Sequence, residues 1–409
     1  MNKKDITEIK RRFTKNGCTF TKMCGCYVDG EHNKITTFTE TFLNLEEDEF
    51  FKYLDIAKKV FSGTLGNNLL ELEFPLAEEA PGGRQQFLLG LRESQLKNED
   101  LLDRFYDLVI ESYSHVGNYL ILVFHDVYDV MKKTKDNIEE DESEEVYEYL
   151  ICAICPVELS KPALGYQEEG NCIRSLIRDW VVGMPDTGFV FPAFTERSTD
   201  VHSVMFYTKN AKQPHSEFME AGLGCEPRLT AAEKKMTFED IVKNVIGENE
   251  ESKVLYMDIH DNINEMVELK RQGYEDEEEG KGDKEPIVLT SLAFADILMD
   301  SGLTEEQTEK IEQSYEETFG EDLPEADKLV EPKLIEANQR RKDRLELITQ
   351  VENLKQQLET KNAENEIAVH IQAEKTEKIY TTLIDGKKCL VIPMDEDEQA
   401  TINGQVLEE

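Results

Sequence analysis

YLILVFH at residues 119–125 and YLICAICPV at residues 149–157 are the two stretches on which the fold turns. Each is a continuous apolar run of buried-strand length, and each is far too short to span a bilayer. Strands are expected around them at residues 20–28, 35–42, 69–74, 189–194 and 203–208, with Asp29-Gly30 as the hairpin signal between the first two. Helices are expected at 6–13, 46–61, 86–91, 98–113 and 172–182. In the second of these Phe50, Tyr53, Leu54, Ala57 and Val60 recur at three-to-four spacing, and Gly63 can end it. The fold class is α+β: a mixed α/β body at residues 1–235 with helices on a sheet, a helical middle segment, and a small antiparallel β unit at the C-terminus.

Composition marks the divisions. KKTKDNIEEDESEE at 132–145 reads as a solvated loop between two strand-like segments, and RQGYEDEEEGKGDKEP at 271–286 as an acidic interdomain linker. A helical extension at 236–270 precedes that linker, and a short helical module at 287–332 follows it. An amphipathic helix at 333–362 carries Leu347, Val351, Leu354 and Leu358 at spacings of four, three and four, a two-heptad seam that could pack on its own molecule or on a second copy. The β unit at 363–409 includes an alternating segment at 367–371, two apolar runs flanking Asp385-Gly386, and a second tight turn at Asn403-Gly404.

The 409 residues hold 46 Lys and Arg against 86 Asp and Glu, a formal net charge of −40. Free nucleic acid and anionic membrane surfaces are excluded as default partners, because their phosphates would meet repulsion. A basic protein surface fits better. The charged opening MNKKDITEIKRRF has no apolar signal core, so a cytoplasmic location is expected, with the eight cysteines as reduced thiols. The oligomeric state is left open.

Catalytic motifs are thin. The chain has no phosphate-cradling loop, no dinucleotide fingerprint, no His-Glu-x-x-His and no nucleophile elbow. Ser62-Gly63-Thr64-Leu65-Gly66-Asn67 reads first as a helix end and turn, and secondarily as an anion cradle. Cys152-x-x-Cys155 together with Cys24-Gly25-Cys26 could complete a zinc site, but residues three apart on a strand face opposite ways, so buried thiols are expected. Neither a metal nor a cofactor is expected.

The best candidates for a ligand cleft are His125 at a strand end beside Asp126, Arg178 near Arg174 and Trp180, and Glu196, Arg197 and His202 in a polar loop with Asp200; His215 lies in the next loop. If they meet, the cationic groups form an anion-binding island in an acidic surface.

The phrases GCYVDG (25–30), SGTLGNNL (62–69), GNYLILVFHDVYDV (117–130), YLICAICPVELSKPALGY (149–166), DWVVGMPDTGFVFPAFTERSTD (179–200) and LIDGKKCLVIP (383–393) resemble a bacterial family, domain of unknown function 4317. The resemblance spans nearly the whole chain. It implies one shared architecture and a cytoplasmic protein of Gram-positive anaerobes, and carries no activity or site residue.

Two functions therefore stand. The first is a non-enzymatic binding or regulatory protein that engages a basic protein surface. The alternative is an enzyme of unrecognised class with an anion-binding cleft in the N-terminal body.

Overall fold

A computed structural model describes residues 1–133, 139–277, 286–365, 377–395, 401–402 and 405–406. The first part of the chain runs α1 (Lys3–Arg11), β1 (Lys22–Val28), β2 (Lys34–Glu40), α2 (Glu47–Val60), β3 (Leu69–Glu73), α3 (Leu76–Glu79), α4 (Arg84–Glu93) and α5 (Glu99–Ser112). Then come β4 (Asn118–Lys133), β5 (Glu139–Leu159), β6 (Leu164–Gln167), β7 (Cys172–Ser175), β8 (Trp180–Val182), β9 (Thr187–Phe191), β10 (Ala193–Thr195), β11 (Ser198–Asp200) and β12 (Ser203–Thr208).

The main sheet has the order β2-β1-β4-β5-β9-β12-β3, antiparallel throughout, with β8 also paired to β5. Leu120, Leu122 and Phe124 of β4 enter a core with Ile6 and Ile9 of α1 and Phe50 and Leu54 of α2. Tyr119, Ile121 and Val123 point the other way, into a core with Leu88 and Leu91 of α4 and Leu102 and Phe105 of α5. Helices cover both faces, so both residue parities must be apolar, and the run is continuous instead of alternating. Cys155 and Cys152 fall into these two different cores, as strand geometry requires.

Two local expectations are corrected. The charged run at 132–145 is not simply a loop, because β4 extends through Lys133 and β5 begins at Glu139; residues 134–138 lie outside the described part. Residues 172–182 are not helical: they form β7, an irregular segment at 176–179 and β8. Arg174 and Arg178 therefore share no helical face. The spacing was compatible with a helix, but backbone pairing of Cys172 with Gln167 and of Trp180 with Leu159 takes the segment into β structure.

The rest of the chain contains α6 (Ala231–Ile246), α7 (Glu250–Glu277), α8 (Ser291–Asp300), α9 (Glu305–Phe319), α10 (Ala326–Leu329) and α11 (Pro332–Asn365). Thr230 and Thr304 close capping boxes at the starts of α6 and α9. Phe238, Ile259, Phe294, Ile311 and Leu329 belong to one core, so helices from both sides of the acidic run share an interior. Helix α7 continues through Glu277, and Arg271 pairs with Asp327 at 3.0 Å; residues 278–285 lie outside the described part. The chain divides into two compact units, Met1–Asn338 and Gln339–Glu409.

In the second unit β13 (Tyr380–Ile384) and β14 (Lys387–Val391) form the expected hairpin. Asp385 and Gly386 take φ values of 50° and 77°, the left-handed pair that a tight primed turn needs. A small pair, β15 (Thr401–Ile402) with β16 (Gln405–Val406), flanks Asn403-Gly404. That turn and the segment at 367–371 are outside the described residues.

Candidate functional site

The five candidate residues do not converge on a cleft. His125 is buried on the face covered by α4 and α5, with Nδ1 2.8 Å from Thr21 Oγ1 and Nε2 2.8 Å from Glu148 Oε1. Arg197 works on the opposite face, where it pairs with Glu8 of α1 at 3.1 Å and donates to the Met131 carbonyl at 2.6 Å. Glu196 and Arg197 are the two-residue turn between β10 and β11, both in the left-handed region at φ 52° and 63°, and the Glu196 amide donates to Asp5 at 3.3 Å. His202 is exposed and held 2.7 Å from Glu79 Oε1; it immediately precedes β12, which lies three strand steps from β4, about 14 Å across the sheet.

Arg178 is remoter still. His125 pairs with Leu150, whereas Arg178 donates to the carbonyls of Ser160 at 2.7 Å and Leu159 at 3.5 Å, nine residues or about 30 Å along β5. The structure thus does not bring the five candidate residues together. Each cation lies within reach of a local acceptor, and the long strands hold those acceptors apart.

Asp126, adjacent to His125, faces the other core and is nearly inaccessible. It accepts from Arg12 Nη1 at 3.0 Å, Tyr149 Oη at 2.5 Å and Thr19 Oγ1 at 2.6 Å. A buried carboxylate with three donors is satisfied, which makes it a structural group. A cleft of about 500 Å³ lies between the sheet edge and the helical core, reaching Gly66, Lys234, Asp322 and Lys328. Its cations are already neutralised: Lys234 pairs with Asp322 at 2.6 Å, and Lys328 with Glu325 at 2.6 Å.

The feature that sequence reasoning missed is an exposed apolar arm at residues 159–184. It leaves the sheet where β5 outruns its neighbours, folds back as the β6–β7 hairpin, and returns through β8. Tyr166 sits opposite Ile173, and the Tyr166 hydroxyl donates to Asn171 Oδ1 at 3.1 Å in the turn. Arg178 fastens the return leg through the two carbonyl contacts above, assisted by the Asp179 amide donating to Ser160 Oγ at 3.1 Å. Ten large hydrophobics of this stretch are exposed, among them Leu164 at 75%, Ile177 at 85% and Trp180, the only tryptophan, at 55%. Glu168, Glu169 and Asp179 balance Lys161, Arg174 and Arg178, so the arm is neutral in a chain of net charge −40. Gly170-Asn171 between apolar runs was the available turn signal, and Asn171 does take φ 43°.

At the base of the arm, Asp186 accepts from His215 Nε2 at 2.9 Å and from the Tyr113 hydroxyl at 3.2 Å. The Tyr113 ring contacts His115, stacked at 5.6 Å, and His215 at 4.9 Å. Burial opposes protonation of His215, but Asp186 and Glu217 overcome it and raise its pKa; the hydrogen bond from His215 in turn holds the Asp186 carboxyl low. Burial lowers the pKa of His115. Both ring nitrogens of His215 face carboxylates, an arrangement that favours its protonated form and ties the loop to Asp186 and Glu217.

Among the described residues no group of three or more His, Cys, Asp or Glu is placed to hold a metal ion, and no helix is long and apolar enough to cross a membrane. The chain belongs to the family described as Domain of unknown function (DUF4317), whose sequence profile matches residues 1–405. No curated protein matches the chain.

Proposed function

We propose that the protein is a non-enzymatic binding or regulatory protein that docks a partner protein on the arm at residues 159–184, the partner presenting an apolar patch set in a basic rim. The observation that carries this reading is the set of ten exposed large hydrophobics on a neutral hairpin extension. Exposed apolar clusters of this kind mark association surfaces, and covering three such side chains brings on the order of 5 kcal/mol before association costs. The apolar arm supplies contact, and the charge of −40 on the whole chain selects a basic surround and speeds encounter. Among the described residues strand β8 pairs with β5 alone, so an extended partner segment can add to its outer edge. A bacterial cytoplasm, where the eight thiols stay reduced, is the setting of this reading.

A peptide-display selection on the whole chain tests it. Enriched peptides should combine aliphatic or aromatic residues with Lys and Arg, blue-shift the emission of Trp180, and bind more weakly as salt rises. Ile177→Asp should weaken them on the order of tenfold or more. Peptides that leave Trp180 emission unchanged and bind the Ile177→Asp chain equally well overturn the proposal, as does a selection that enriches none.

A further inference from the structure

Helix α11 offers a second surface of different character. Its first turns belong to the helical core: Leu334 packs there, and buried Asn338 donates to Asp258 and Asp261 of α7, each at 3.0 Å. From Lys342 through Leu358, however, every residue is exposed, so seventeen residues, about 25 Å of helix, run with no face covered. A helix of that length is marginal in water without packing. Yet it carries a regular apolar stripe: Leu347, Val351, Leu354 and Leu358 are 49–61% exposed and follow the four-three-four spacing of a heptad seam.

Two observations identify what covers the stripe. Reading Leu347 and Leu354 as d positions and Val351 and Leu358 as a positions puts leucine at d and a β-branched residue at one a, the pattern that favours two strands. Charge then selects the partner. Helix α11 holds seven basic and six acidic residues, a balance of +1 in a chain of net charge −40. Between Leu347 and Leu358 the flanking e and g positions are Ile348, Gln350, Lys355 and Gln357, with no carboxylate among them. A basic partner drawn by the acidic chain finds no net negative charge on this helix and no carboxylate at the positions flanking the seam. A second α11 meets neither like-charged flanks nor an unmatched field.

We propose that the protein forms a homodimer through α11, the seam Leu347–Val351–Leu354–Leu358 of one copy packing on that of another. With four apolar layers per helix, the dimer is weak, and the rest of each chain opposes it by mutual repulsion. Raising the salt concentration screens that repulsion, so dimerisation strengthens with salt, opposite to docking of a basic partner on an acidic protein.

Sedimentation equilibrium of the full chain over a concentration series, at low and high salt, tests this. The expected result is a monomer–dimer equilibrium whose dissociation constant falls several-fold at high salt. Leu354→Ala should weaken it, and the double substitution Val351→Asp/Leu354→Asp should weaken it on the order of a hundredfold, with the thermal melt of the chain unchanged. A species that stays monomeric to the highest concentration at both salts overturns the proposal. So does a dimer that survives Val351→Asp/Leu354→Asp, or one lost instead in Ile177→Asp, which would put the interface on the arm.

Discussion

The buried stretch of β5 and the arm that follows it, two halves of one continuous run of chain, make an instructive pair. Residues Tyr147 to Val157 are buried almost without interruption, whereas Leu159 and the arm that follows expose ten large hydrophobics. Hydrophobicity does not separate the halves. What separates them is the number of layers: α1 and α2 cover one face of the first half and α4 and α5 the other, while the β6–β7 hairpin and β8 stand as a single layer. A lone two-stranded hairpin is marginal in water, which is why the arm's exposed apolar side chains carry the docking proposal.

The largest expected effect lies in the body. Phe124, wholly buried and packed on Phe20 and Phe42, should cost about 4 kcal/mol as Phe124→Ala in urea unfolding. A loss below about 1 kcal/mol would mean that the two-sided core is not what holds the sheet. Next comes the buried ion pair. Arg12→Ala strands the Asp126 carboxylate, which is 1% exposed, and should cost on the order of 3 kcal/mol, part of which Asp126→Asn in the same chain should restore. Equal and additive losses would show that the two groups do not depend on each other.

A third effect contrasts a satisfied buried group with an unsatisfied one. His260 is fully buried among helices, with Tyr256 at 4.6 Å, and neither ring nitrogen has a hydrogen-bond partner among the described residues; burial, reinforced by Lys235 and Lys243 and opposed by Glu239, lowers its pKa to about 4. The unfolded chain therefore takes up a proton near pH 6.5 that the folded chain refuses until about pH 4. Stability should fall as pH drops through that window, by on the order of 3 kcal/mol from this residue. His260→Leu should remove that share of the slope, and an unchanged slope would assign the acid sensitivity elsewhere. The smallest effect belongs to the arm. Ile177→Asp should shift unfolding by less than about 0.5 kcal/mol, and a loss comparable to that of Phe124→Ala would make the arm part of the core.

Much of the fold was legible locally. The apolar runs at 119–125 and 149–157 became central strands, and Asp385-Gly386 became the hairpin turn, because strand burial and left-handed turn geometry restrict residue choice within a few positions. The segment at 172–182 was misread as helical, since its spacing suits a helix and only pairing with β5 and β6 makes it β. The candidate site residues lie apart for a related reason. His125, Arg178, Arg197 and His202 have the chemistry of a site, but reach is a matter of register and face, and no spacing along the chain encodes the roughly 30 Å that β5 puts between two of them.

By itself the sequence determined the charge of −40, the α+β class, the family and the heptad seam, all of which follow from composition or from neighbours within a few residues. Tertiary structure alone decided exposure: that the seam of α11 lies uncovered, that Trp180 stands outside on a neutral arm, and that Asp126 and His260 lie inside. Exposure depends on which remote elements arrive to cover a surface, and that is settled by packing across the whole chain.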